Sequence, residues 1–120
     1  MRTAAREVII EFMKARFNEI HTTEELDSII EKSNEQSVIL FKHSTTCPIS
    51  QGVYREVSNA DADINLIVIQ NARSVSTAIA EKTGIRHESP QAIVLKNGEV
   101  VYHAAHYDIT AEDITSQLEV

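Results

Sequence analysis

Four apolar residues, Val38-Ile39-Leu40-Phe41, run without a polar break just ahead of the chain's single cysteine. A run this short and this rich in β-branched residues is a strand buried on both faces. A polar turn, Lys42 to Thr46, separates it from Cys47-Pro48. Beyond Pro48 the apolar residues Ile49, Val53 and Val57 recur at i, i+4 and i+8, which is helical spacing. Proline suits the first helical turn, where its missing N–H has no partner to lose. Cys47 is therefore expected at the helix N-cap, its sulfur facing the free amides of Ile49 and Ser50 and the positive end of the helix dipole. That placement favours thiolate over thiol and makes a nucleophile. The competing reading of a lone cysteine is a small buried core residue. Cys47, however, sits outside the apolar period and among hydroxyls.

Around this centre the rest of the chain falls into short alternating elements. Residues 4–16 read as a helix with Val8, Ile9, Phe12 and Met13 on one face. Met13 is also a candidate initiator, so residues 1–12 read as an N-terminal extension and 13–120 as the domain. Arg16 to His21 reads as a short edge strand. Thr22-x-x-Glu25 is a capping box that opens a helix to Lys32, with Leu26, Ile29 and Ile30 inward. Ile64 to Ile69 is a second apolar run, expected parallel to the first through a right-handed crossover. Asn71 to Lys82 is helical and ends at Gly84. Gln91–Lys96 and Glu99–Ala104 flank Asn97-Gly98, a strong hairpin signal. Thr110 caps a last helix carrying Ile114 and Leu118. The order β-α-β-α-β-α-β-β-α gives an α/β fold, a central mixed sheet flanked by helices. The reactive residue lies where an interior strand hands over to its helix, the usual place for a site in such sheets.

Charge and cysteine usage narrow the function classes. Eleven basic residues against 18 acidic ones give a net charge of −7, so nucleic acid and anionic membrane surfaces are not expected partners. One cysteine excludes an internal disulfide and suits a reducing cytoplasm. No apolar run is long enough for a signal peptide or a bilayer span. Five scattered histidines and one cysteine give no metal-site spacing, and no metal is expected.

Three stretches carry a resemblance to thioredoxin-fold proteins over residues 16–120. Thr46-Cys47-Pro48-Ile49-Ser50 is similar to the family's C-P-x-C or C-P-x-S active-site turn. Gly84-Ile85-Arg86 through Ser89-Pro90 resembles its cis-proline loop, and Lys96-Asn97-Gly98-Glu99-Val100 its hairpin. More narrowly, Phe41 to Ser50 (F-K-H-S-T-T-C-P-I-S), with His106-Tyr107-Asp108-Ile109-Thr110, resembles the monothiol bacilliredoxins. That resemblance implies a thioredoxin-like fold and action on mixed disulfides of bacillithiol, with bacillithiol as co-substrate and no tightly bound cofactor. It also implies S-bacillithiolated proteins as partners, a cis Ser89–Pro90 peptide beside the cysteine, and an edge at Ser89 able to pair with a substrate backbone like an added strand.

Departures from related patterns separate the readings. A dithiol thioredoxin needs a second cysteine where Ser50 stands, and serine cannot attack a mixed disulfide, so the resolving thiol must come from outside. Glutathione-binding glutaredoxins carry lysine three residues before the cysteine, the place of Ser44. Their Fe–S-holding monothiol relatives carry glycine in place of Pro48. The peroxiredoxin T-x-x-C pattern wants proline where Leu40 stands.

Cys47 is the expected nucleophile. Thr46, Pro48, Ser50, Ser89 and Pro90 are the expected substrate-binding residues. Lys42, His43 and Thr45 are candidates for contact with the thiolate or the small thiol: His43 as an imidazolium or proton shuttle, Lys42 as an attractor of bacillithiol's malate carboxylates. Bland readings compete at each, a solvated strand end for Lys42 and His43 and helix capping for Thr45, Thr46 and Ser50. The expected activity is monothiol thiol–disulfide exchange, with a low-molecular-weight thiol or a reductase restoring Cys47. The alternative is a non-catalytic thioredoxin-like binding or redox-sensing module. Thiol-dependent reduction of an oxyanion such as arsenate would ask for a cluster of arginines near Cys47, and the sequence has none.

Overall fold

The structure, a computed structural model, describes residues 14–118. It contains β1 (Arg16–Glu19), α1 (Thr23–Lys32), β2 (Val38–His43), α2 (Pro48–Val57), β3 (Asp63–Val68), α3 (Arg73–Thr83), β4 (Gln91–Lys96), β5 (Glu99–Ala105) and α4 (Ala111–Leu118). Short 3-10 turns follow β3 (Ile69–Asn71) and β5 (His106–Asp108). This is the expected α/β order. The expected helix over residues 4–16 lies mostly outside the described residues. At its end, Arg16 is extended and opens β1, so the helix does not reach that far.

The five strands form one sheet in the order β1-β3-β2-β4-β5. β1 and β2 run parallel to β3, whereas β4 is antiparallel to both β2 and β5. The apolar run of β2 thus occupies the middle of the sheet. Period-two alternation sends its side chains to two separate cores. Ile39 and Phe41 join Val53, Val57, Ile64, Leu66, Val94 and Ile114, under α2 and α4. Val38 and Leu40 join Leu26, Ile67, Val75, Ile79 and Ile93, under α1 and α3.

Local sequence chemistry sets the element ends. Thr22 and Glu25 form the reciprocal capping box, with Glu25 N–H donating to Thr22 Oγ1 and Thr22 N–H to Glu25 Oε1, each at 3.1 Å. Gly84 ends α3 with φ 74°. Asn97 and Gly98 both take positive φ, 54° and 76°, as a type I′ hairpin requires. That hairpin is tied to the end of α1, because Asn97 N–H donates to Ser33 O and Gly98 N–H to Ser33 Oγ. Strand β1 stops at Glu19, short of the expected His21, although buried Ile20 still donates its N–H to Leu66 O at 2.8 Å. Helix α3 starts at Arg73, two residues later than expected, because Ile69–Asn71 first closes a 3-10 turn. Among the described residues no helix is long and apolar enough to cross a membrane.

Candidate active site

Strand β2 delivers the chain to the site. It runs to His43, so Lys42 and His43, expected in the polar turn, are strand residues and the turn is only Ser44–Thr46. Cys47 stands at the N-cap of α2 in extended conformation (φ −102°, ψ 119°) with Pro48 in the first turn. The thiol is free and half-buried, flanked by exposed Thr45, Thr46, Pro48 and Ile49. The Cys47 side chain makes no capping hydrogen bond to the amides of the first helical turn. Sulfur is a weak acceptor, so a thiol gives those amides little reason to close on it.

Two glutamines and a serine hold the turn. Gln70, in the 3-10 turn after β3, accepts from Thr45 N–H (3.2 Å) and donates through Nε2 to Ser44 Oγ (2.9 Å) and Thr46 Oγ1 (3.3 Å). From α2, Gln51 Nε2 donates to Thr45 O at 2.9 Å. Ser50 Oγ accepts from Ser44 N–H at 2.9 Å. Sequence patterning does not single out Gln70. The one signal available was its position, the first polar residue after an interior apolar run parallel to β2, which brings it beside the turn that ends β2.

Ser50 was expected to face substrate. Its hydroxyl is instead fully buried and shared between Ser44 N–H and His43 Nδ1, the latter at 2.8 Å. The oxygen accepts from Ser44 N–H, and its proton or its second lone pair meets His43 Nδ1 according to the imidazole tautomer. His43 is buried, with its ring 4.8 Å from that of Tyr54 and 6.2 Å from that of Phe41. Burial lowers its pKa, against a smaller opposing effect from Ser50. His43 is thus neither solvated nor an imidazolium at the thiol, and its bond goes to Ser50. Continuing the alternation of Ile39 and Phe41 puts it on the α2 face, where a charged ring would be costly.

Lys42 is the second correction. It follows Val38 and Leu40 onto the opposite face of the sheet, where it is 1% exposed. Its Nζ donates to Ser76 O on α3 (3.0 Å) and to His87 Nδ1 (3.2 Å). An ammonium committed there and sealed from solvent offers nothing to an incoming anionic thiol. Burial pulls its pKa down from 10.5 to about 8.

The loop before β4 closes the site from the other side of β2. Gln91, which opens β4, pairs with Lys42 in the ladder, so Pro90 lies at the end of the sheet where β2 runs out toward Cys47. The Ser89–Pro90 peptide is cis. Pro90 O accepts from His106 N–H at 3.1 Å, which ties this loop to the 3-10 turn His106–Asp108, and that turn packs against α2. Ser89 Oγ and Gln91 Oε1 are buried without a hydrogen-bond partner.

A cysteine at a strand–turn–helix junction and a cis-proline loop thus lie at one end of the sheet. The chain is similar to a solved protein described as having a thioredoxin fold, at 33% identity and TM-score 0.76, over 89% of this chain and 95% of that one. Two thioredoxins share the fold at 18% identity. The one from Halobacterium salinarum (TM-score 0.63) aligns over 87% of this chain and 88% of its own, and the one from Schistosoma mansoni (0.64) over 87% and 94%. The family model described as monothiol bacilliredoxin BrxC matches residues 18–114, a span that holds the Cys47 turn, Gln70 and the cis-proline loop together. The fold is thioredoxin-like, the role is in thiol redox chemistry, and the chain belongs to the monothiol bacilliredoxin family.

Proposed function

We propose that the protein is a monothiol thiol–disulfide oxidoreductase that removes bacillithiol from protein mixed disulfides. The observation that carries this reading is Cys47 at the N-cap of α2 with Ser50, not a second cysteine, one helical turn on. Cys47 thiolate attacks the bacillithiol sulfur of a protein–S–S–bacillithiol bond. The old S–S bond breaks, the protein leaves as thiolate, and Cys47 carries the small thiol as a new mixed disulfide. A second low-molecular-weight thiol, or a reductase, then attacks that disulfide and returns Cys47 to the thiol. No side chain caps the first turn of α2, so its amides and the helix dipole are free to stabilise negative charge on sulfur during each exchange. Exposed Thr46 and Pro48 line the approach, with the Ser89–Pro90 edge opposite.

Ser50→Cys tests the monothiol logic. The parent should hold the small thiol on Cys47 until an external thiol is added. In the variant the new thiol can attack Cys47, close an intramolecular disulfide and expel the small thiol unaided. Mass spectrometry should therefore find the parent as its mixed disulfide and the variant lacking two hydrogens, with free bacillithiol in solution. A variant that retains the adduct contradicts the geometry given for the Cys47–Ser50 pair. A parent that sheds the thiol unaided contradicts the monothiol cycle.

A further inference from the structure

A lysine buried in a sheet without a carboxylate partner is costly. Lys42 reaches His87, in the loop from Ile85 to Ser89 that leads into the cis-proline edge. An ammonium has only hydrogens to give, so His87 Nδ1 must accept, and His87 is neutral with its proton on Nε2. Ser76 Oγ lies 3.2 Å from the same Nδ1, so α3 supports the contact. The loop, whose Arg86 and His87 are exposed, has one more part-buried anchor, Gln91 Nε2 donating to Arg86 O at 3.0 Å. Lys42 and Gln91 are ladder partners, so both anchors rise from adjacent strands on one face of the sheet.

We propose that Lys42 is a positioning residue that acts through His87 to hold the 85–89 loop, and with it the Ser89–Pro90 edge, where a polypeptide disulfide docks, and that protonation of His87 releases the loop. This rests on the exchange reaction proposed above. Protonation would set an N–H on Nδ1 against the Lys42 ammonium. The charged groups acting on His87 are Lys42 from β2 and Glu88 from its own loop, while α3 presents Ser76 and β4 presents Gln91, both uncharged. Burial first, and then Lys42, lower the pKa of His87 from 6.5, against the opposing pull of Glu88. Gln91, the ladder partner of Lys42, carries a buried acceptor without a partner in its Oε1.

The test compares two substrates in Lys42→Met, His87→Leu and the double variant. One is a polypeptide carrying a bacillithiol mixed disulfide. The other is a small aromatic disulfide that needs no docking edge. Dividing the polypeptide rate by the small-disulfide rate cancels the thiolate fraction of Cys47. That ratio should fall about tenfold in each single variant, the scale of one charge-assisted hydrogen bond, with no further fall in the double variant. In the parent the ratio should also fall as pH drops below 6.5, and this step should vanish in His87→Leu. Ratios unchanged by the substitutions, additive effects, or a pH step that survives His87→Leu would overturn the proposal. Nitrogen-15 NMR reads the anchor independently of turnover. His87 should show the Nε2–H tautomer, and Lys42→Met should raise its pKa and speed amide exchange across residues 85–89. A His87 spectrum and loop exchange indifferent to Lys42→Met would overturn the proposal even if the polypeptide is turned over. A parent that reacts with the small disulfide but not the polypeptide, with the NMR pattern present, would refute the substrate reading and leave the loop anchor standing.

Discussion

Cys47→Ser is expected to abolish release of bacillithiol from a protein mixed disulfide while leaving the fold intact. The substitution exchanges sulfur for oxygen at a half-buried N-cap, and serine is among the best N-cap residues, so helix α2 keeps or improves its start. The chemistry has no such substitute. A serine hydroxyl is not ionised near neutral pH and does not exchange with disulfides, and the chain has no other cysteine to take over. Neither His43 nor Lys42 can activate the hydroxyl, since both are buried and bonded elsewhere. Turnover should therefore fall to the rate without protein, with the circular dichroism spectrum and melting temperature of the parent retained. Residual turnover in a folded Cys47→Ser protein would mean that the reacting atom lies elsewhere.

The second large effect is on stability, and its sign is unusual for a substitution at a fully buried residue. Lys42→Met should stabilise the protein near pH 7. Lys42 binds its proton less tightly in the fold, where burial sets its pKa near 8, than in the unfolded chain, where it is near 10.5. Below pH 8 the native state carries the whole cost of a charged amine in an apolar layer, roughly 3 kcal/mol from the size of the shift. Between pH 8 and 10.5 the unfolded chain holds more protons than the native one, so the stability of the parent rises with pH and the cost is relieved. The bonds to Ser76 O and His87 Nδ1 recover part of that cost. Methionine keeps the length and shape without the charge, so a net gain of about 1–3 kcal/mol is expected at pH 7. The gain should shrink toward zero by pH 10. Urea unfolding of both proteins at the two pH values measures this. Equal destabilisation of the variant at both would show that the ammonium is well solvated or fully paired. Stability and docking would then pull apart at one residue, a more stable fold with a looser 85–89 loop.

What the sequence made legible follows from the range over which each signal acts. The β2 run, the Thr22–Glu25 capping box and the Asn97-Gly98 turn are local, each decided by residues within a few positions, and all stand as read. So does the placement of Cys47 at the N-cap just ahead of Pro48. The misreadings concern side chains whose partners lie far along the chain. Lys42 was taken as a strand-end lysine, but Ser76 and His87 bury it from α3 and the loop beyond. Gln70 reaches back about two dozen residues to grip Ser44–Thr46, and no periodicity announces that. His43 is an intermediate case. The alternation Ile39, Phe41, His43 assigns its face, while its bond to Ser50 depends on how α2 leaves the turn.

The central claim is that Cys47 takes the small thiol onto itself. Intact-mass and peptide mass spectrometry after incubating the reduced protein with a bacillithiolated polypeptide tests it most directly. The account predicts a bacillithiol adduct located on Cys47, formed as the polypeptide loses the same mass and removed by added thiol. A polypeptide freed of bacillithiol with no adduct on Cys47 at any time, or a stable disulfide joining Cys47 to the polypeptide, would contradict it.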